Sequence, residues 1–519
     1  MQNLPRSLAI PKPRFHILGP GGIGSLFAYH FHRHKIPFTF FQRHAPPVPP
    51  LAKHGSSTAD QDAATHEQTT TKIQHQKPTF PPSTLKYMNL TALETVSVEP
   101  QIIDGLDWEP LYPSIDKELF RNDPIYNEMS RAPIHHLLVT TKTYQTVEAI
   151  SKIRHRLRPW TTIVLMQNGM GVREEICESM GWKDETERPN FVQGIISHGA
   201  QKTGDTVVHT GKGHVWLAPV VDPSSSSSTK ASKAAKAAAG TTSGDDSNSD
   251  DDNDDNDDSN DSSENDRSTP HWSQSTLPNI NKLLKVPAKG SNSLFPNLIA
   301  PIMMKLSIPY PASSPTPFAA RFDPSTPFSK FYTAPKTRQQ LRDLRTKSLF
   351  ETLAAFEELS EDMDLHVLLP DHLLALQLSK IVVNSCVNPV ATLLEATNGT
   401  LLDKVDANLA VKNLIKESQY ILSQSQEYQA LDDQLKKEFL TIEALTETTE
   451  TILRATRQNR CSTLQDFLKG SSQCEIDYMN GYLVRMAERS GVDAPLNRMV
   501  TEKIKEKFAA PRNLPTKNI

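Results

Sequence analysis

Phe15-His16-Ile17-Leu18-Gly19-Pro20-Gly21-Gly22-Ile23-Gly24-Ser25 is the stretch that decides the fold. A short apolar run enters a glycine loop. Ser25 to His34 then reads as a helix and Phe38 to Gln42 as a second strand, which together make a β-α-β unit. In that context the spacing Gly19-x-Gly21-x-x-Gly24 permits a tight turn and lets backbone N–H groups at a helix N-terminus approach a pyrophosphate. Gly19, Pro20, Gly21, Gly22, Ile23 and Gly24 are therefore the candidate cradle of a dinucleotide, set against the plain alternative of a tight turn with no ligand. Dinucleotide sites that take NAD carry an acid at the end of the second strand for the ribose hydroxyl. This chain reads Phe41-Gln42-Arg43-His44 there, with no Asp or Glu before Asp60. An arginine can hold a 2′-phosphate through charge-assisted hydrogen bonds, so Arg43 favours NADPH over NADH, a solvated strand-end charge being the alternative.

Outward from this unit, His136 to Thr140 and Thr162 to Met166 are apolar runs separated by a helical stretch from Thr146 to Leu157, as in a buried parallel sheet. Phe191 to Ser197, Val207 to Thr210 and His214 to Leu217 read as later strands, the last two joined through Gly211-Lys212-Gly213 as a hairpin. Residues 45–83 turn to Pro, Gln, His, Thr and Ser without periodicity, which predicts a mobile insertion. Residues 223–337 are Ser-rich, then acidic, then Pro-rich, and cannot bury enough apolar surface to offset chain ordering. From 338 to 511 nearly everything reads as helix, including Leu349 to Glu361 and Pro370 to Asn388. The expected architecture is an α/β N-terminal Rossmann-type domain over 12–222, a disordered linker over 223–337, and an all-α C-terminal domain over 338–511 that carries the substrate and catalytic groups.

The formal net charge is −4, but residues 245–266 hold 12 acids and no base. Without them, 56 basic residues face 48 acidic ones, a mild excess that suits a small anionic ligand and argues against nucleic acid. Four cysteines with no metal-ligand spacing point to a reducing compartment and no metal. No apolar run reaches the roughly 18–20 residues that span a bilayer, so the expectation is a soluble protein with no membrane partner. The cytoplasm is the expected compartment. Arg6, Lys12 and Arg14, with no acid among residues 1–14, keep a mitochondrial alternative open, and a homodimer is likewise left open.

Lys142 and Asn168 each follow a predicted parallel strand, at the carboxyl edge where ligands of open α/β sheets gather. Lys380, Asn384 and Asn388 recur at i, i+4 and i+8 among apolar neighbours, so they share one helix face. A solvated polar stripe is the bland reading. Against it, the stripe uses amides rather than Glu and Lys, and Pro389 follows at once, which predicts a bend or end of the helix. Glu475, Asp477 and Ser462 read, in isolation, as helix-terminal groups.

With these motifs in this order the chain resembles the ketopantoate reductases (2-dehydropantoate 2-reductases). The resemblance rests on G-P-G-G-I-G-S, V-T-T-K-T-Y-Q-T around Lys142, Q-N-G-M-G around Asn168 and H-G-A at His198-Gly199-Ala200. It continues in K-I-V-V-N-S-C-V-N-P, T-N-G at Asn398, S-T-L-Q-D from Ser462, and E-I-D-Y-M-N-G from Glu475. It implies reduction of 2-dehydropantoate to (R)-pantoate by NADPH, with Lys380 as general acid and Glu475 beside that lysine and the cofactor. It implies further that Asn384, Asn388, Asn398 and Ser462 hold the keto acid. Gly19, Gly21, Gly24, Arg43, Lys142, Asn168 and Ala200 would line the NADPH site, with Asn168 also touching substrate. The chain departs from the family in the length of the segments 43–142 and 219–338, in lacking a tryptophan just before Lys380, and in an extra segment between Asp466 and Glu475. Two rivals stand beside this reading: an NADPH reductase of another branched 2-keto acid, and a catalytically silent binding or regulatory protein.

Overall fold

Every residue of Phe15–Leu18 is buried, and this strand, β1, lies inside the large sheet with a neighbour on each side. The structure, a computed structural model, describes residues 12–42, 84–89, 101–104, 108–110, 132–184, 186–220 and 335–511. The predicted insertion over 45–83 and nearly all of the linker over 223–337 lie outside the described residues.

After β1 come α1 (Gly22–Arg33), β2 (Phe38–Gln42), β3 (Thr84–Asn89), β4 (Gln101–Asp104), β5 (Trp108–Pro110) and β6 (His136–Val139). Then follow α2 (Thr143–Ile153), β7 (Thr162–Leu165), α3 (Val172–Met180), β8 (Asn190–Ile196), β9 (Gly199–Thr203), β10 (Thr206–Gly211) and β11 (Val215–Pro219). The large sheet runs β12-β11-β8-β7-β6-β1-β2-β5, where β12 is Leu365–Val367. β1 pairs in parallel with both β2 and β6, Phe15 lying opposite Phe38 on one side and His136 on the other. A strand with partners on both edges and helices on both faces is buried throughout, which is why β1, β6 and β7 show no alternation of buried and exposed positions. One face packs Leu18, Leu137 and Val139 against α2 and α3 through Ile150, Ile153, Ile176 and Met180. The other packs Phe15, Ile17 and Phe40 against Leu26, Phe27 and Phe31 of α1.

A second sheet, β4-β3-β10-β9, lies beside α1 and corrects the expected hairpin. β10 pairs antiparallel with β9, not with β11, and the turn between them uses Gly204 at φ +61°. β9 is half-buried at best and reads Gly-Ala-Gln-Lys-Thr, so it carries no apolar signal by which to be found. Gly211-Lys212-Gly213 instead carries the chain back to the large sheet, where β11 pairs antiparallel with β8.

The remaining elements are α4 (Arg338–Glu357), α5 (Ser360–Met363), α6 (Pro370–Leu393), α7 (Thr400–Asp403), α8 (Val405–Ser423), α9 (Gln426–Gln429), α10 (Asp433–Phe439), α11 (Ile442–Ala455), α12 (Ser462–Leu468), α13 (Asn480–Ser490) and α14 (Pro495–Ala509). Residues 338–367 differ from expectation, because by packing they belong to the first domain. Phe356 meets the Phe15 and Phe27 rings edge-on at 5.5 and 5.6 Å, Thr352 Oγ1 lies 2.8 Å from His136 Nδ1, and β12 joins β11 in parallel. Residues 338–367 thus complete the first core before the chain enters the helical one.

α6 is the axis of the helical domain, with Leu378, Val382, Cys386 and Ala391 all buried in its core. By length and composition it passes as a membrane span, contrary to the expectation that no segment would, but 78% of its most apolar window is buried inside the protein, as in a core helix. It also continues past Pro389 to Leu393 instead of ending there. A proline leaves the carbonyl four residues earlier without its helical donor. Here that carbonyl, Ser385 O, accepts from Asn480 Nδ2 of α13 at 2.8 Å, so the tertiary fold satisfies what the helix cannot.

Candidate active site

The glycine loop closes tightly on three sides and stays open on one. Gly19 has φ +110°, and a Cβ there would lie 2.6 Å from Thr141 N. A Cβ on Gly24 would lie 2.1 Å from Gly19 O, and one on Gly22 would lie 2.3 Å from Ala200 O, so side chains are excluded at both. Gly21 differs, since a Cβ there meets nothing within 4 Å. It is the N-cap of α1, which has no side-chain cap and no acid in its first turn, leaving backbone N–H groups and the positive helix end facing an open notch. A diphosphate fits such a notch. Pro20 O accepts from Lys202 Nζ at 2.9 Å, and Ile23 and Ala200 pack against the first core. Arg43 lies outside the described residues.

At the adjoining end of β6, Lys142 is the N-cap residue of α2 and forms an ion pair with Asp466 at 2.7 Å, with Glu475 Oε2 at 3.8 Å. Burial pulls the Lys142 pKa down, but Glu475 and Asp466 outweigh it and the net shift is upward, so the lysine is held charged. Glu475 is only 4% exposed and accepts from the Thr143 backbone N at 3.1 Å and Thr143 Oγ1 at 2.9 Å. The same hydroxyl oxygen lies 2.8 Å from Asn168 O, so its one proton is shared between the two acceptors, and the ends of β6 and β7 are tied to the segment between α12 and α13.

Lys380, Asn384, Asn168, Gln167 and Met170 line a cleft between the sheet edge and α6. Lys380 Nζ donates to Ile196 O at 2.9 Å, at the carboxyl end of β8. Burial lowers its pKa to about 8, against an opposing pull from Glu475. Asn388 is not among the cleft-lining residues. Four residues turn a helix by roughly 400°, so each step along the stripe rotates it about 40°, and by Asn388 the side chain has left the cleft. It is buried, with Nδ2 donating to Met479 Sδ at 3.6 Å. Asn398 stands apart from the cleft lining too, its Nδ2 donating to Thr456 Oγ1 at 2.8 Å while its buried Oδ1 takes no hydrogen bond. Ser462 begins α12, whose N-cap is the neighbouring Cys461, with Sγ accepting from Leu464 N at 3.4 Å.

The structure therefore brings Lys380, Asn384 and Asn168 together in one cleft, joins Lys142 to Glu475 beside it, and leaves Asn388, Asn398 and Ser462 outside the lining. Three residues escaped the reading of the sequence as site groups. Asp466 was signalled by its place at the end of S-T-L-Q-D. Lys202 sits on the strand that carried no apolar pattern, and Asn480 belongs to E-I-D-Y-M-N-G but looks there like an ordinary helix start.

Residues 15–97 and 109–222 match the family described as Ketopantoate reductase PanE/ApbA, and residues 372–508 match Ketopantoate reductase PanE/ApbA C terminal. A 2-dehydropantoate 2-reductase of Saccharomyces cerevisiae is 46% identical over 70 residues, which span 14% of this chain and 18% of that protein. A probable 2-dehydropantoate 2-reductase of Schizosaccharomyces pombe is 24% identical over 373 residues, 72% of this chain and 73% of the relative. Among solved structures, a D-mandelate dehydrogenase with NADH and anilino(oxo)acetate aligns at TM-score 0.49 and 14% identity over 95% of this chain and 98% of its own. With one family matched across both of its folded domains, the chain belongs to the ketopantoate reductases.

Proposed function

We propose that the protein reduces 2-dehydropantoate to (R)-pantoate with NADPH. The observation that carries this reading is a lysine ammonium and two carboxamides, Lys380, Asn384 and Asn168, gathered in one cleft at the carboxyl edge of a sheet whose glycine loop has an open phosphate notch. When bound, the reduced nicotinamide supplies a hydride to the keto carbon. Lys380 holds at Nζ the proton that the new alkoxide takes. With its pKa near 8 it is protonated at neutral pH yet gives up that proton far more readily than an ordinary lysine at about 10.4. Its charge also stabilises the developing oxyanion in a site shielded from water. Asn384 and Asn168 offer uncharged donors and acceptors to the carboxylate and hydroxyl of the substrate, and Glu475, anchored on Thr143, keeps Lys142 in place at the cofactor side. Asn388, Asn398 and Ser462 enter the proposal through the family resemblance alone.

NADPH rather than NADH is part of the proposal and rests on Arg43 standing where an acid would be expected. We propose the cytoplasm as the compartment, in keeping with Cys177, Cys386, Cys461 and Cys474 all being free thiols. The test is to mix purified protein with NADPH and 2-dehydropantoate and follow the absorbance of the reduced cofactor. Oxidation well above a Lys380→Ala control supports the assignment, and oxidation no faster than that control overturns it.

A further inference from the structure

We propose that Lys202 is a specificity-determining residue of the cofactor site, meeting the phosphate on the adenosine ribose and favouring NADPH over NADH. The inference rests on the NADPH reading above and adds a residue to it. Side chains two apart on a strand share a face, so Lys202 on β9 projects to the same side as Ala200, whose carbonyl closes over Gly22 of the glycine loop. Its Nζ donates to Pro20 O, inside that loop, at 2.9 Å. The same Nζ lies 5.9 Å from the centroid of the Phe40 ring, two residues before the carboxyl end of β2. The ammonium is thereby fixed between the glycine loop and the end of β2, which is where a doubly wound sheet receives the adenosine ribose.

Burial lowers the Lys202 pKa, with Asp205 opposing. A cation partly stripped of water gains more from an arriving phosphate than a solvated one does. Lys202 thus occupies the position from which a positive charge distinguishes a ribose phosphate from a ribose hydroxyl. The second sheet thus supplies a charge in addition to that of Arg43, the residue on which the NADPH reading rests.

The experiment titrates NADPH and NADH separately, in the absence of keto acid, into wild-type protein, Lys202→Met and Lys202→Arg, following tryptophan fluorescence. A hydrogen bond to a charged group contributes about 1.5–3 kcal/mol, so Lys202→Met should weaken NADPH binding roughly 10- to 100-fold and leave NADH within about twofold, while Lys202→Arg keeps the preference for NADPH. Equal losses for both cofactors would assign Lys202 to the shared diphosphate and overturn the inference, as would an unchanged NADPH affinity in Lys202→Met. A wild-type protein that binds both cofactors alike would instead sink the NADPH reading itself. Melting temperatures of the two variants without cofactor identify any loss that is merely structural, and recovery in Lys202→Arg marks the effect as charge.

Discussion

Asn480 and Pro389 should be energetically coupled, and the structure sets the size of the effect. Asn480 is fully buried, and its Nδ2 donates to Ser385 O at 2.8 Å and to Asn497 Oδ1 at 2.9 Å. Asn480→Ala strips both acceptors of that donor, at about 1–3 kcal/mol each. The Asn480 Oδ1 is itself buried without a hydrogen bond, so losing it offsets part of the cost, and the net destabilisation should be about 2 kcal/mol. Pro389→Ala restores a backbone N–H that can donate to Ser385 O along the helix. In that background Ser385 O no longer depends on Asn480, so Asn480→Ala should cost about 1 kcal/mol less than in the wild type. Urea unfolding of the four proteins, followed by the helical circular dichroism signal, measures both the cost and the coupling. Single costs that add to within about 0.3 kcal/mol in the double variant would refute the idea that Asn480 completes the helix at Pro389.

Three further outcomes follow from the site and the core. Lys380→Ala should lower kcat by roughly 10²- to 10⁴-fold, and wild-type kcat/KM should fall as pH rises through about 8, where Lys380 loses its proton; a rate flat from neutral pH to well above 8 would exclude it as the acid. Gly21→Ala, with open space at its Cβ, should keep the melting temperature and weaken cofactor binding, whereas Gly24→Ala, blocked at 2.1 Å by Gly19 O, should lower both, and calorimetry with cofactor titration separates them. His30 and His198 are buried with pKa values lowered by desolvation from 6.5 to about 4. The unfolded chain therefore binds more protons between those limits, so stability is fully present above pH 6.5 and falls by about 3 kcal/mol per histidine as pH drops toward 4. Their replacement by Gln should flatten the dependence of the urea midpoint on pH in that window.

How much of this was legible depended on whether the signal was local. The β-α-β unit at Phe15–Gln42 and the apolar strands β6 and β7 were read correctly, because a strand covered on both faces shows an unbroken apolar run and a phosphate loop needs glycines at set spacings. The stripe of Lys380 and Asn384 was legible for the same reason, helix periodicity being visible along the chain. β9 was not, since it is polar and exists through its pairing with β10, and with it went Lys202. Of the bend or end expected at Pro389, the end failed because sequence shows the missing donor but not the amide of Asn480, which supplies one from nearly a hundred residues away.

The sequence by itself determined the cofactor loop, the class of fold in each half and the helix face that carries Lys380, all of them properties of near neighbours along the chain. Only the tertiary structure decided that 338–367 returns to the first core, that Lys142 meets Glu475 and Asp466, and that Lys380 faces Asn168 across one cleft. These are contacts between distant segments, selected by burial and charge pairing once the two cores have formed.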